Sequence, residues 1–322
     1  MSDLARTYGV LVTFDRPETL ANTLDRLTAQ TRQFDFLMVV DNGVVSSAES
    51  VTKVHAPPVS ELRYVRTGAN IGPAGGFALG MREVLEFAAD DDWIFLLDDD
   101  DPPFFDDAIE RAFRFALEQT ARDAKTAGVG ISGGRFAPRR GRVIRVGDDE
   151  ISGAVPIDHV TGGGLPAYRV GPLRQVGVMR PELFFGFEEL DMGLRLTRAG
   201  FKMYADGEAW RERKEVKRQA GLLPPEEVSA RRADTTAWRT GDPSWRRYYS
   251  LRNLIQILRE SGHGLSAARV SISRGLVKPM VNLLISPRSA SASLALGWLA
   301  VRDGWAGRTG RTLEPGAVGG HD

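Results

Sequence analysis

No cysteine occurs in the 322 residues. That excludes a disulfide framework, a thiol nucleophile and a Cys-based zinc site. Histidine is almost as scarce. The four present, His55, His159, His263 and His321, lie too far apart in sequence to suggest a His-based metal cluster. Charge of either sign in excess is missing too: 42 Lys plus Arg balance 42 Asp plus Glu. With no basic excess to offset phosphates, nucleic acid is not an expected partner. Long apolar runs are absent. Leu294 to Val301 is a short one, far below the roughly 20 residues of a membrane span. No charged-then-apolar leader opens the chain, so a cytoplasmic location is expected. The apolar fraction of 42% and charged fraction of 26% are those of a globular protein and argue against disorder or a fibre.

What is present is an alternation of strand and helix over the first hundred residues. Gly9–Thr13, Phe36–Val40, Leu62–Val65 and Trp93–Leu97 are short apolar runs. The spacing predicts helices between them: one after Pro17 with Leu20, Leu24 and Leu27 on one face and Asp15 as its cap, and another over Gly76–Ala89. Strands apolar on both faces and separated by helices predict a parallel sheet covered on both sides. Beyond Gly128, short strand-like pieces alternate with glycine turns at Ser132–Gly134 and Thr161–Gly164. Helices are expected over Phe187–Arg198 and Trp245–Glu260, a loop or lid over Arg211–Arg239, and two more helices after Ser266.

In an open parallel sheet, ligands bind beyond the carboxyl ends of the strands. Three polar clusters are expected there: Asp41–Asn42, Asn70–Gly76 and Asp98–Asp101. The glycine stretch lets backbone N–H groups approach a ligand or makes a tight strand-to-helix turn. The four adjacent acids repel one another unless a cation offsets them, and carboxylates two apart can share a hard divalent ion that also grips phosphate oxygens. A third cluster, Phe184-Phe-Gly-Phe-Glu188-Glu189-Leu-Asp191, sends two acids into a helix from an aromatic stretch. Such a carboxylate can serve as a base, or simply offset the helix dipole.

These motifs, in this order, resemble the inverting nucleotide-sugar glycosyltransferases of family two. The resemblance is carried by Val10–Arg16, Gln30-Thr31, Val39-Val40-Asp41-Asn42, Asn70-Ile-Gly-Pro-Ala-Gly-Gly-Phe77, the Leu96-Leu97-Asp98-Asp99-Asp100 form of a DxD motif, Glu188-Glu189-Leu-Asp191 with Arg195, Tyr248-Tyr249-x-x-Arg252-Asn253, and Asp303-Gly304. It covers nearly the whole chain and leans toward the galactofuranosyl- and rhamnosyltransferases of bacterial cell-wall and polysaccharide synthesis.

The family likeness implies a GT-A fold: a Rossmann-like, mostly parallel sheet with helices on both faces and a C-terminal helical extension. It implies a donor-binding half over 1–127, an acceptor-binding half over 128–244, and a helical region over 245–322. Thr13 and Asp41 would hold the nucleoside, with Asn70, Gly72, Gly75, Gly76, Gly163 and Gly164 along the sugar nucleotide. Asp98 and Asp100 would hold Mn2+ or Mg2+, with Asp99 nearer the donor sugar or ribose. The base would come from Glu188 or Glu189, with Glu189 favoured, and Asp191 would orient an acceptor hydroxyl. Implied partners are a UDP- or dTDP-sugar and a glycan or lipid-linked acceptor. The basic-apolar tail leaves peripheral membrane contact open, and a homo-oligomer also fits.

Two features depart from the family. Glu-Glu stands where Glu-Asp is usual, and no His occurs in Tyr204–Glu212, where many members supply a metal ligand. Asp206, Glu208 or water would then have to complete the coordination. Two other classes remain: a non-catalytic sugar-nucleotide-binding subunit, favoured by the missing His, and a nucleotidyltransferase, disfavoured because Phe14-Asp-Arg-Pro17 is no basic glycine-rich loop.

Overall fold

The structure, a computed structural model, describes residues 5–161, 163–221, 245–285 and 287–313, with the side chains of 282–291 left out. The strands are β1 Thr7–Thr13, β2 Phe36–Asp41, β3 Leu62–Arg66, β4 Trp93–Asp98, β5 Thr126–Gly130, β6 Gly133–Ala137, β7 Arg142–Ile144, β8 Ala154–Ile157, β9 His159–Val160, β10 Ala167–Arg169 and β11 Lys202–Asp206. Eight of them form one mixed sheet in the order β3-β2-β1-β4-β10-β5-β11-β8. Contact clustering divides the chain into two compact units. The first comprises 1–135, 146–181 and 189–216; the second comprises 136–145, 182–188 and 217–322.

In the first unit β1 runs parallel to both β2 and β4, with Val12 opposite Asp98 and Thr13 opposite Asp41. The acids expected at the carboxyl rim therefore do stand at the ends of β2 and β4, one on each side of β1. Period-two alternation splits the apolar residues between two cores. Val10, Val12, Met38, Val40, Ile94 and Leu96 face one side. Leu11, Leu37, Val39, Trp93, Phe95 and Leu97 face the other. Helix α1 (Pro17–Thr28) covers the second core with Leu20, Leu24 and Leu27, all essentially buried. Burying such a side chain stabilises the fold by roughly 1.5–3 kcal/mol. After the short α2 (Glu49–Val54), α3 (Gly72–Leu85) covers the first core through Phe77, Ala78, Met81 and Val84. Helix α4 (Ala108–Arg122) lies with α1 on the second. Helices on both faces of a mostly parallel sheet are the architecture expected.

Three local expectations are corrected. Asp15 does not cap α1: it sits at φ 50° and its carboxylate accepts N–H bonds from Val44, Val45 and Ser46. Helix α3 begins at Gly72, not Gly76, so most of the glycine stretch is helical. The reason is packing. A Cβ on Gly76 would stand 2.8 Å from Val12 Cγ1, and one on Gly80 only 2.3 Å from Val10 Cγ1. Glycines four apart let the helix axis approach β1 more closely than any side chain permits, which overrides their poor helix propensity.

The third correction concerns the supposed lid. After α5 (Val170–Val176) and α6 (Glu188–Arg198), the chain forms α7 over Gly207–Gln219, so the expected loop opens as a helix. The rest of that expectation, at 222–239, lies outside the described residues.

Strand β10 runs antiparallel to both its neighbours, β4 and β5. The segment entering it therefore arrives at the rim where β4 ends, and Leu96 N–H donates to the Pro166 carbonyl. Its glycines meet the other glycine turn: Ile131 N–H donates to Gly164 O and Thr161 N–H to Ser132 O.

The second unit is built on α8 (Trp245–Glu260), with α9 (Gly264–Val270), a π-helical stretch Ser271–Val277, α10 (Lys278–Ile285) and α11 (Pro287–Ala306). The Tyr-Tyr-x-x-Arg-Asn motif makes its polar core. Tyr248 donates to Asp303 at 2.6 Å, and the fully buried Arg252 bonds the carbonyls of Leu183 and Gly310. Asn253 Nδ2 bonds the carbonyls of Leu183, Phe185 and Gly186. That segment holds two non-glycine residues at positive φ, Phe184 at 62° and Phe187 at 68°. Backbone so placed costs on the order of 1–3 kcal/mol and persists where its surroundings fix it.

Candidate active site

At the end of β4 the four acids have separate environments. Asp99 is buried and held on all sides. Its carboxylate accepts from Thr13 Oγ1 at 2.7 Å, Phe14 N–H at 3.3 Å and Arg16 Nη1 at 3.5 Å, while its carbonyl accepts from Thr23 Oγ1 at 2.6 Å. Burial raises its pKa and these donors oppose the rise. Asp100 is exposed and pairs with Arg16 at 2.5 Å. Asp98 forms no salt bridge among the described residues, although Arg16 stands near enough to feel its charge. Burial, then Glu189, Asp100, Asp101 and Asp99, pushes its carboxyl up to about 8.

Asp98, Asp101 and Glu189 line one open cavity, together with Phe104, Gly163 and Met179. Burial also raises the pKa of Glu189. An elevated carboxyl is a better proton acceptor than an ordinary exposed one.

The other expected residues divide into those at this rim and those held elsewhere. Glu188 is buried at the first position of α6 and is not among the residues lining the cavity. Asp191 is buried and paired with Arg195 Nε at 2.8 Å and Arg180 Nη1 at 3.3 Å, one partner on each oxygen. Thr13 reaches the rim through Asp99. Asp41 is buried too, and its carboxylate accepts from Gly43 N–H, Ala48 N–H and Tyr64 Oη, which ties the β2 turn to the start of α2. Asn70 Oδ1 accepts from Gly72 N–H at the start of α3, where Gly72 has φ 73°. Gly75 packs against Ile71, and a Cβ on Gly164 would meet the carbonyls of Thr161 and Ser132 below 3 Å. Gly163, at φ 68°, does line the cavity.

Gln30 and Thr31 are structural: Gln30 bonds Phe105 O and Ile109 N, and Thr31 bonds Glu110. Asp206 caps α7 by accepting from the Glu208 and Ala209 N–H groups, and neither Asp206 nor Glu208 lines the cavity. Three residues at the site were given no role of their own in the sequence. Asn42 bonds Gly72 O, Arg16 neutralises Asp99 and Asp100, and Arg213 sits beside Gly163.

A divalent ion was expected on Asp98 and Asp100. The donor chemistry fits a hard cation, because such an ion binds crowded carboxylate oxygens and would offset the neighbouring acids that help raise the Asp98 pKa. Among the described residues, however, no group of three or more His, Asp or Glu side chains is arranged to hold one. Phosphate oxygens and water would have to supply the remaining ligands.

The Glycosyl transferase family 2 pattern matches residues 10–175, just over half of the chain. The chain belongs to glycosyl transferase family 2. This family 2 chain is 33% identical over 202 residues to galactofuranosyltransferase GlfT1 of Mycobacterium tuberculosis, covering 60% of this chain and 65% of that one. It is 42% identical over 90 residues to GlfT1 of Mycolicibacterium smegmatis, 28% of each chain. The matched segment thus spans just under two thirds of the M. tuberculosis relative's length. Among solved structures it resembles the mannosyltransferase PcManGT of Pyrobaculum calidifontis, a complex with GDP-Man and Mn2+, at TM-score 0.49 and 14% identity over 94% of this chain and 88% of that one. No helix among the described residues is long and apolar enough to cross a membrane.

Proposed function

We propose that this family 2 chain is an inverting glycosyltransferase that moves galactofuranose, or a related sugar such as rhamnose, from a UDP- or dTDP-sugar to a hydroxyl of a glycan or lipid-linked acceptor. The observation that carries the reading is the meeting of Glu189 and Asp98 on one cavity, each with a pKa raised above the usual carboxylate range. Glu189 takes the proton from the acceptor hydroxyl. The oxygen forms its bond to the anomeric carbon as the bond to the diphosphate breaks, and the electron pair leaves with the nucleoside diphosphate. Asp98 is the residue that would hold Mn2+ or Mg2+, with Asp100 or Asp101 adding a carboxylate. When bound, the ion neutralises charge on the diphosphate. Asp99, fixed by Thr13 and Arg16, shapes the floor beside it.

The test is donor turnover with purified protein and UDP-galactofuranose, with Mn2+, Mg2+ or EDTA. Glu189→Gln is expected to lower kcat at least a hundredfold, in the range of lost general-base catalysis, while donor binding stays near the wild-type value. Asp98→Asn is expected to lower donor affinity in the presence of metal. A Glu189→Gln enzyme with wild-type kcat would remove the base assignment. Wild-type protein that binds the donor but neither transfers nor hydrolyses it would favour a non-catalytic binding subunit.

A further inference from the structure

We propose that Arg213 is the protein's own cation for the donor diphosphate, a binding residue beside Asp101 and Gly163 at the cavity. The inference rests on the donor reading given above. Helix α7 starts at Gly207, and Ala209 and Arg213, four apart, share its inward face, while Arg211 and Glu212 between them are exposed. A long cation on an inward face needs a reason, because burial costs it hydration. Burial does push this guanidinium below its usual pKa, with Asp101 opposing the shift.

Its surroundings place it at the cavity wall. Nη1 donates to Ser132 Oγ at 3.2 Å, and the guanidinium carbon lies 5.7 Å from the centre of the Phe104 ring. Nη2 stands over Gly163: a Cβ there would be 2.1 Å from Nη2 and 2.8 Å from Asp101 Oδ1. Phe104, Gly163 and Asp101 all line the cavity. Glycine at 163 is thus what lets the guanidinium come down onto this wall. The Nε atom is buried and makes no hydrogen bond to the described residues. A planar fork with an unused N–H, next to acids that cannot accept a phosphate unaided, has the chemistry of a diphosphate ligand.

The ligand class is a nucleoside diphosphate, recognised at its phosphates and not at its base. The experiment is calorimetric titration of the full chain with UDP, dTDP and GDP, each beside its monophosphate, with and without Mn2+. Wild type, Arg213→Lys and Arg213→Met are compared, with thermal melting as the folding check. For the tightest-binding nucleotide, Arg213→Met is expected to lose about tenfold in diphosphate affinity, as one charge-assisted contact would give, and less than twofold for the monophosphate. Arg213→Lys, which keeps the charge without the fork, is expected to fall between. It decides the matter should the Met variant not fold. Equal diphosphate affinity in wild type and variants overturns the proposal, since Arg213 would then serve only Asp101 and the Gly163 turn. So does an equal loss for diphosphate and monophosphate. Wild-type protein that binds no nucleoside diphosphate at all removes the donor reading itself, a result distinct from either.

Discussion

His159 shows at the scale of one residue how burial turns into pH dependence. It is 8% exposed on β9, its Nδ1 finds no partner among the described residues, and burial lowers its pKa to about 4. The folded protein therefore holds it neutral, while an unfolded His near 6.5 takes up a proton more readily. Above pH 6.5 the difference has no effect. As pH falls from 6.5 toward 4 the unfolded state binds more protons and stability declines, by about 2 kcal/mol at pH 5. We expect His159→Gln to melt lower than wild type at pH 8 and to lose less between pH 7 and pH 5; calorimetric melts at the two pH values measure it. Parallel losses in the two proteins would assign the acid sensitivity to other groups.

The same scale shows what could be read from residues and what could not. The rim position of Asp98 was legible because it directly follows five apolar residues, whereas Glu189 was favoured over Glu188 only because it stands where the family usually carries the Asp of Glu-Asp. Arg213 was not. In a run as charged as Arg211–Arg218, only the helical phase of α7 distinguishes the inward guanidinium from the solvated ones. Arg16 was seen as part of a motif, yet its pairing with Asp100 depends on the turn after β1 facing the turn after β4, a long-range fact no local pattern carries.

Among the elements, α3 makes the clearest prediction. Replacing Gly80 by Ala gains about 1 kcal/mol in helix propensity, but its methyl would enter the space of the Val10 side chain on β1. Overpacking a core site typically costs about 1–3 kcal/mol, so the variant is expected to be less stable despite the better helix former. Gly264, where a Cβ meets nothing within 4 Å, is the control, and Gly264→Ala should be near neutral. Denaturant midpoints for the two variants check this. The boundary of α3 was misread for the same reason. A glycine-rich stretch is normally a turn signal, and only its contact with β1 makes it a helix.

Strands and helices with ordinary amphipathic patterns were legible nearly to the residue. Trp245–Glu260 appears as expected, and Phe187–Arg198 begins one residue later. The short strands after Gly128 were readable as strands but not in their pairing, because β10 reverses direction inside an otherwise parallel region.

For the whole molecule, a formal charge of zero means that any attraction to a charged surface must come from local patches. The helices after Ser266 offer Arg269, Arg274 and Lys278. They also expose Ile272 at 57% and Met280 at 59%, whereas Val270 of the same stretch is buried. With a lipid-linked acceptor, these residues would touch an anionic bilayer. Full-length protein is expected to pellet with phosphatidylglycerol vesicles in low salt, and the Ile272→Asp, Met280→Asp variant to remain largely in the supernatant. Equal pelleting of both proteins would direct the search for acceptor contacts elsewhere.

The reversed strand β10 has a further consequence. In a purely parallel sheet each rim loop is tethered to the helix that follows it, so altering the loop disturbs the layer behind. Here residues 163–166 enter a three-residue strand held between two longer ones, and Leu96 N–H bonds Pro166 O while Ile131 N–H bonds Gly164 O, so a change in this stretch is expected to be felt first at the carboxyl end of β4.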